Sequence, residues 1–401
     1  MRKVSWQLTL LWIWSTTAAL AMLNLDLTQG QEGAIPVSLK RSSTNVSLAN
    51  KVADILVKDL SYTNRLKIAP TTASVDYRLE MQSKPQQLCL DMYTAAQSSS
   101  QSQAVCVSTK DHSAASIAHF FAQSAYKYIL GKQAIYTSKL AFVQEESQAD
   151  KLTYKLMLAD FDGGQAEVLL DSNEPIMSPS FSPDGSKLAY VSYEGGTQKI
   201  FIQEIATGQR QLIANKPGLN AAPSWSPDGK KLALVQSPDG RAKIFIHDII
   251  TQTTKPMLDE AYIQTEPVWR SDAKHIIFTS DRSGSAQIYE YNLHTKAIKK
   301  LTHYGSYNVS PSLSHNGDYL VYLTRINTKL QTVALNLKKQ ELLWIGGGKL
   351  DDTPRITQGD LVVYAHRKHG RSSLSIVAVD GSFNLPISAK KASIKYPAWH
   401  R

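Results

Sequence analysis

Carboxylates recur just ahead of a set of evenly spaced prolines in the second half of the chain. They are Glu174, Glu266, Asp351 and Asp352. Grouped carboxylates can coordinate a hard cation such as calcium, and one of them could act as a general base. The alternative is a solvated acidic rim that carries no chemistry. These residues therefore predict a cation site only where the fold brings them together.

The other chemistry-bearing residue types offer less. His366 and His369 stand in the basic stretch "AHRKHGR", where a spacing of three residues in a loop does not preset metal geometry. We interpret this stretch as a solvated loop or a contact for an acidic partner. The sequence lacks the GxSxG, GxxxxGK[ST] and HExxH motifs and any paired CxxC. Their absence argues against α/β-hydrolase, P-loop and common zinc chemistry.

Six prolines mark a repeat that must position the carboxylates. They are Pro179, Pro223, Pro267, Pro311, Pro354 and Pro397, at intervals of 43 or 44 residues. Each unit holds four short strand-like runs, for example "KLAYV" and "KIFIQEI" in the first. Four strands in about 44 residues are typical of a propeller blade. We therefore predict an all-β six-bladed propeller over residues 135–401.

The ring needs a strand from the end of the chain to close. The first apolar run, "KLAFV" at 139–143, has no proline strand before it, and the terminal "YPAWH" has no strands after it. The sequence predicts that a strand at 396–400 pairs with the first run and closes the propeller.

Residues 22–134 do not repeat and predict a small α/β domain. The segment "SLANKVADILVKDL" shows helical periodicity with Ser47 as its N-cap, and "SIAHFFAQSAYKYILG" predicts a helix that ends at Gly131. Short strand-like runs lie near 77–81, 88–91 and 104–107. The fold class is thus a small N-terminal α/β domain followed by an all-β six-bladed propeller.

The N-terminus has the pattern of an export signal. Arg2 and Lys3 precede an apolar stretch and the small-residue site "ALA", so we predict a signal peptide over 1–21, with a short membrane anchor as the alternative. Export to an oxidising compartment would allow Cys89 and Cys106, opposite each other in a hairpin, to form a disulfide. Otherwise they are two small residues that face opposite ways.

The overall composition indicates only in general terms which partners the protein could bind. The 401 residues carry a formal charge of +10, which favours anionic partners or surfaces without naming one. Beyond the N-terminus, no stretch of about 20 apolar residues predicts a membrane span.

The tetrapeptide SPDG occurs three times, at 182–185, 226–229 and 237–240. Its residue order suits a type I turn, with proline presetting φ and aspartate capping backbone N–H groups. The first two copies join the first and second strands of a blade, and the third joins a second strand to a third. We interpret SPDG as a turn and not as a catalytic motif.

Together these segments resemble the TolB family of the Tol–Pal system. The resemblance is carried by "MSPSFSPDGSKLAYVS", "APSWSPDGKKLA", "TEPVW", "FTSDRSG", "LDDTP" and the terminal "PAW". It implies an α/β domain before a six-bladed propeller, a periplasmic location and no enzymatic activity. It also implies a role in outer-membrane integrity and in constriction during cell division.

The same resemblance implies two protein partners, each with its own site. The positions that match the face binding the lipoprotein Pal are Met177, Ser178, Asn220, Ala222, Thr265 and Glu266. The segment that matches the TolA-binding strand contains Leu23, Asn24, Leu25, Asp26 and Leu27. We expect a monomer that associates with the outer membrane through Pal, has no nucleic-acid partner and requires no cofactor, although the channel could accept calcium.

An enzymatic alternative stays open at this point. A periplasmic propeller hydrolase or lactonase could use the channel carboxylates or a metal. The absence of a nucleophile motif, of clustered histidines and of a second catalytic domain favours the interaction module.

Overall fold

The computed structural model describes residues 33–42, 47–132, 134–148, 151–345, 351–357, 360–368, 370–389 and 392–400. The predicted signal peptide and the predicted TolA-binding segment at 23–27 lie outside these ranges. Within them, neither helix is long and apolar enough to cross a membrane.

The first unit is a five-stranded sheet covered by two helices. In chain order its elements are β1 (Ile35–Lys40), α1 (Ser47–Ser61), β2 (Leu66–Ala69), β3 (Tyr77–Lys84), β4 (Gln87–Thr94), β5 (Gln103–Ser108) and α2 (Ala114–Leu130). The strand order is β2-β1-β3-β4-β5, with β1 parallel to both of its neighbours and the remaining pairs antiparallel. Alternate residues of the strands pack against the helices, as an amphipathic sheet requires.

Both helices were predicted from sequence, and their ends follow local chemistry. The Ser113 hydroxyl accepts a hydrogen bond from the Ser116 N–H and caps α2 at its start. Gly131 ends α2 in the left-handed region at φ 66°, as predicted. Ser47 is the first residue of α1, at the N-terminal position that the sequence predicts for the start of this helix.

The second unit consists of six four-stranded antiparallel sheets. Blade 1 contains β29 (Ser393–His400), β6 (Lys139–Gln148), β7 (Lys151–Asp160) and β8 (Glu167–Ser172); blade 2 contains β9 (Ile176–Phe181), β10 (Lys187–Ser192), β11 (Lys199–Glu204) and β12 (Arg210–Ala214); blade 3 contains β13 (Asn220–Trp225), β14 (Lys231–Gln236), β15 (Lys243–Asp248) and β16 (Thr254–Pro256). Blade 4 contains β17 (Gln264–Trp269), β18 (His275–Ser280), β19 (Gln287–Asn292) and β20 (Ile298–Lys300); blade 5 contains β21 (Asn308–Leu313), β22 (Tyr319–Ile326), β23 (Lys329–Asn336) and β24 (Glu341–Trp344); blade 6 contains β25 (Asp351–Ile356), β26 (Leu361–Lys368), β27 (Arg371–Ala378) and β28 (Asn384–Ile387). The predicted fold class is confirmed.

The last strand completes the first blade. In the antiparallel register of β29 with β6, Trp399 pairs with Leu140 and Lys395 with Val143. This strand is the inner strand of blade 1, in the place that the proline repeat assigns to it. Without it, β6 would present an open edge to the channel.

Apolar side chains fill the seams between neighbouring blades, because each sheet is buried on both faces. Five seams have separate clusters. The seam between blades 1 and 6 is different, since its cluster is continuous with the core of the N-terminal unit and includes Phe142, Val363 and Phe121. The N-terminal unit therefore packs over the seam at which the ring closes.

All three SPDG segments are turns, as predicted. The Gly185 N–H donates to the Ser182 carbonyl, and the other two copies form the equivalent bond. In the first copy the Asp184 carboxylate accepts from the Ser182 and Ser186 hydroxyls and from the Ser186 N–H. These hydrogen bonds lower the pKa of Asp184 to about 2.

Candidate functional site

The six inner strands share one distortion, located at the residue before each proline. These residues have φ between 43° and 54° and are Ser178, Ala222, Glu266, Ser310, Thr353 and Tyr396. The pairing with the second strand shifts register at the same point in every blade. Because proline has no N–H to donate, a bulge at this point of an inner edge strand loses no ladder hydrogen bond. The bulge also redirects the side chain of the residue before the proline.

These bulges surround a polar cavity of about 240 Å³ in the centre of the ring. Five of the six bulge residues line it, together with the prolines and the residues that follow them, including Ser180, Ser224 and Arg355. A second cavity of about 300 Å³ lies at the end of the ring that carries the first two SPDG turns and is lined by Trp225, Trp269 and Trp399. The channel is thus polar in its middle and aromatic at the end opposite the mouth.

Glu266 is the acid that lines this cavity, and its carboxylate is extensively hydrogen-bonded. Its Oε2 accepts from the Thr279 hydroxyl at 2.7 Å and from the Ser310 N–H at 2.8 Å, and its Oε1 accepts from the Ser310 hydroxyl at 2.8 Å. The two bonds from Ser310 join blade 4 to blade 5, and the bond from Thr279 lies within blade 4. They also occupy both carboxylate oxygens, which leaves little capacity for a general base or a metal ligand.

Arg355 was not singled out from the sequence. Its Nη1 donates to the Pro354 carbonyl at 2.9 Å, and no carboxylate of the described residues lies within ion-pair distance. The repeat could have drawn attention to Arg355, because the equivalent position after the proline holds a small or apolar residue in the other blades. These residues are Ser180, Ser224, Val268, Ser312 and Ala398. Only blade 6 places a long cation at this position.

The open mouth of the channel carries further charges. Surrounding protein atoms partly desolvate Asp352, although its side chain is open at the surface, and this raises its pKa. Lys395 pairs with Glu145 at 2.7 Å beside it. Burial, with Asp352 and Glu145 as the next causes, raises the pKa of Tyr396 to about 12. Both signs of charge therefore meet at this rim.

Five of the six residues predicted for the Pal face lie at the channel or beside it. Ser178, Ala222 and Glu266 line the cavity. Met177 and Thr265 are half-buried, and each immediately precedes a bulge residue. The side chain of Asp351, one of the four carboxylates ahead of the repeat prolines, lies outside the described part of the chain.

Asn220 is placed differently from the prediction. Its side chain is 0% exposed, so it cannot contact a partner at this face. Its amide donates to the Lys216 carbonyl at 2.7 Å and to the Gln198 carbonyl at 3.0 Å, and its oxygen accepts from Gln236 at 3.0 Å. A buried amide with these partners fixes the loop ahead of the inner strand.

The same device recurs in the next two blades. Gln264 and Asn308 stand 44 and 88 residues after Asn220 and are also 0% exposed. Asn308 donates to the Tyr304 carbonyl at 2.7 Å and to Gln287 at 2.9 Å. These amides position the loops that rise around the channel mouth, and Tyr262, Ile263 and Tyr304 on those loops are exposed.

The described residues lack the carboxylate cluster that a calcium site usually needs. They contain no group of three or more His, Cys, Asp or Glu side chains arranged to hold a metal ion. In the channel, both oxygens of Glu266 already accept hydrogen bonds, and Glu266 shares the cavity with the Arg355 guanidinium. Calcium needs six to eight oxygen ligands without a competing cation, so this donor set does not fit it.

The N-terminal unit is held to the propeller by a buried polar network. His119 of α2 contacts Asp59 of α1 through Nδ1 at 2.7 Å, and its Nε2 lies 3.5 Å from Asp160 of blade 1. Burial lowers the pKa of His119, but its hydrogen bonds to Asp160 and Asp59 outweigh this and raise the pKa to about 9. This network was not predicted from the sequence.

The cysteines of the N-terminal unit are paired. Cys89 of β4 and Cys106 of β5 lie opposite each other in the antiparallel register, and the structure joins them in a disulfide. The bond links the edge strand β5 to its neighbour β4. Its Cys89 end is buried, and its Cys106 end is exposed.

Comparisons with known proteins agree on one family. Residues 126–401 match the family model described as the TolB beta propeller domain. The Tol-Pal system protein TolB of Pseudomonas aeruginosa is 49% identical over 287 residues, and that of Hydrogenovibrio crunogenus is 48% identical over 284 residues. Either alignment covers 71% of this chain and 66% of the relative, so the chain spans just under two thirds of those curated relatives.

A solved structure extends the likeness to both units. The crystal structure of TolB from Acinetobacter baumannii superposes with a TM-score of 0.82 at 27% sequence identity. The match covers 91% of this chain and 96% of that one.

Proposed function

The chain belongs to the TolB family, and we propose that it is a non-enzymatic, periplasmic interaction module of the Tol–Pal system. Its propeller face, at the open mouth of the channel, binds the lipoprotein Pal. Its N-terminal segment at 23–27 binds TolA by adding a strand to a sheet edge. In this role it supports outer-membrane integrity and constriction during cell division.

The Pal proposal rests on the structure of the loops around the channel mouth. Buried amides in three consecutive blades fix the loops around it, and those loops present exposed apolar side chains beside mixed charges. A rigid rim with aromatic and aliphatic anchors is the surface that protein partners use best. The two half-buried residues Met177 and Thr265 lie at its inner edge.

The chemistry of the cavity argues for binding over catalysis. Among the described residues, its lining contains hydroxyls, one guanidinium and Glu266, but no histidine. The lining hydroxyls therefore have no histidine base beside them, and Glu266 spends both oxygens on structural hydrogen bonds. Turnover of esters or lactones by the purified protein would contradict the non-enzymatic proposal.

A matched pair of variants tests the Pal face. Thr265→Arg places a bulky charge at the mouth and should abolish Pal binding in calorimetry, while the melting temperature stays near that of the parent. Thr253→Arg makes the same change on an exposed turn between β15 and β16, at the opposite end of the blades, and should bind normally. If Thr265→Arg binds Pal as tightly as Thr253→Arg does, the Pal site lies elsewhere.

The TolA proposal is tested separately by deleting residues 23–30. The deleted chain should lose TolA binding and keep Pal binding, because the propeller is untouched. Retained TolA binding would overturn this part of the proposal.

A further inference from the structure

Arg355 breaks the pattern of the channel. Five of the six residues that follow the repeat prolines are Ser, Val or Ala, which leave the centre of the ring open. In blade 6 the same position holds a guanidinium on a long side chain, and Arg355 lines the cavity. Because the ring has six blades, the residue opposite Arg355 across the channel is Ser224 of blade 3.

The guanidinium has more donors than the protein uses. Arginine carries five N–H donors, and the structure assigns Arg355 one acceptor, the Pro354 carbonyl. Burial lowers the pKa of Arg355, although Glu266 and Asp352 act to raise it. Arginine nevertheless stays protonated at physiological pH, so a partly desolvated positive charge faces the cavity.

The carboxylates nearby do not neutralise it directly. Both oxygens of Glu266 are held by Thr279 and Ser310, which keeps that carboxylate on the wall between blades 4 and 5. Asp352 stands at the mouth, where Lys395 also acts on it. Neither carboxylate lies within 4 Å of the guanidinium in an ion pair.

Other donors face the same space. The hydroxyls of Ser178, Ser180 and Ser224 belong to the cavity lining, and none has a hydrogen-bond partner among the described residues. A guanidinium that shares a cavity with unused hydroxyl donors is a donor set that recognises carboxylate or phosphate oxygens. The cavity of about 240 Å³ is large enough for such a group.

We propose that Arg355 makes the propeller channel a receptor for a small oxyanion. The guanidinium binds two oxygens of the ion, and the serine hydroxyls of blades 2 and 3 bind the remainder from across the channel. The oxyanion is either a free ion or a carboxylate on a protein that docks at the mouth. The site does not rest on the identity of the Pal face, because the free chain is expected to bind inorganic phosphate by itself.

Titration with inorganic phosphate and with acetate at constant ionic strength tests the proposal. In calorimetry the parent chain should show one saturable site for at least one of these ions. Arg355→Ser, which installs the residue type of three other blades, should weaken binding at least about tenfold. Arg355→Met keeps the side-chain volume without the charge and should lose binding equally, while Arg355→Lys should be intermediate.

The control is Arg325→Ser, which removes an exposed cation stacked over Tyr307, outside the cavity lining. It should bind phosphate like the parent. No saturable binding by the parent, unchanged affinity in both Arg355→Ser and Arg355→Met, or equal losses in the Arg325 and Arg355 variants would overturn the proposal. Circular dichroism of each variant ensures that lost binding is not lost folding.

A competition experiment separates the two sources of the oxyanion. If the oxyanion is a carboxylate of Pal, bound Pal should block phosphate, and Arg355→Ser should weaken Pal binding. If it is a free ion, phosphate and Pal should bind together. Both results support the oxyanion site, and neither depends on whether the Thr265→Arg variant binds Pal.

Discussion

Glu266 accepts two hydrogen bonds from Ser310, one from its N–H and one from its hydroxyl, each at 2.8 Å. The two residues are 44 positions apart and occupy the same place in consecutive blades. Both have positive φ, so the bulge that turns Glu266 toward the channel also presents the Ser310 N–H to it. One carboxylate thereby fastens two inner strands at their most distorted point.

Removing this carboxylate should destabilise the propeller. Glu266→Ala leaves the Ser310 N–H and the Thr279 hydroxyl without their acceptor, and we expect a loss of about 1–3 kcal/mol in the free energy of unfolding. Glu266→Gln keeps one acceptor oxygen and should lose less. Urea unfolding followed by circular dichroism measures both.

The control for this series is Glu174→Ala, which removes an exposed carboxylate from a loop ahead of blade 2. It should change stability by no more than about 0.5 kcal/mol. Equal stability of the two alanine variants would mean that the Glu266–Ser310 bonds contribute nothing net.

The His119 network should make the stability of the chain depend on pH. The folded pKa of His119, about 9, lies above its ordinary value of 6.5. The protonated form is therefore favoured by folding, and its contribution is fully present below pH 6.5 and is lost as the pH rises toward 9. We expect the free energy of unfolding to fall by about 1–3 kcal/mol between pH 6.5 and pH 9.

Urea titrations at pH 6.5 and pH 9 measure this slope. His119→Gln should flatten it, because the variant has no group that titrates between Asp59 and Asp160. His112→Gln, at an exposed histidine of the same unit, should keep the slope of the parent. A slope that survives in His119→Gln would assign the pH dependence to other groups.

Two glycines with the same backbone conformation separate conformational strain from crowding. Gly185 and Gly208 both have φ 71°. A Cβ on Gly185 would lie 2.5 Å from the His400 ring of the closing strand, whereas a Cβ on Gly208 would meet nothing within 4 Å. Alanine at either site should cost about 1 kcal/mol for the left-handed backbone, with a further loss of similar size at Gly185 alone.

Thermal and urea unfolding of Gly185→Ala and Gly208→Ala measure this difference. The double variant Gly185→Ala/His400→Ala should recover the extra loss at Gly185, because the ring that blocks the methyl group is gone. Identical losses at the two glycines would show that the His400 ring moves aside at no cost.

The sequence predicted those features that repeat. The prolines and apolar runs were enough for the blades, the SPDG turns and the closing strand, since each depends on local chemistry found several times over. The bulges escaped prediction because a positive φ before proline has no residue signature, as Ser178, Glu266 and Tyr396 illustrate. Asn220 was assigned to the Pal face by its position in the family resemblance, but its side chain is buried and bonds to Gln198, Lys216 and Gln236.

Contacts between the two units were beyond sequence reasoning. His119 meets Asp59 from 60 residues away and Asp160 from the first blade, and no spacing rule connects them. The isolated bridge between Thr63 and Phe383 and the bond from the Asn64 N–H to the Ser382 carbonyl join still more distant segments. Such pairings follow from how the N-terminal unit docks over blades 1 and 6.

The closing strand lies at the point where this docking and the ring closure meet. Ile394 of β29 belongs to the cluster shared by blade 1, blade 6 and the N-terminal unit, and β29 is the inner strand of blade 1. Deletion of 396–401 removes three of the six residue pairs that β29 forms with β6, those of Ala398, Trp399 and His400, and opens the channel side of that blade. We expect the melting temperature to fall by more than about 10 °C, since several kcal/mol of packing and pairing are lost. Removal of residue 401 alone, which leaves β29 complete, should change little; a melting temperature unaffected by the longer deletion would mean that the ring does not depend on this strand.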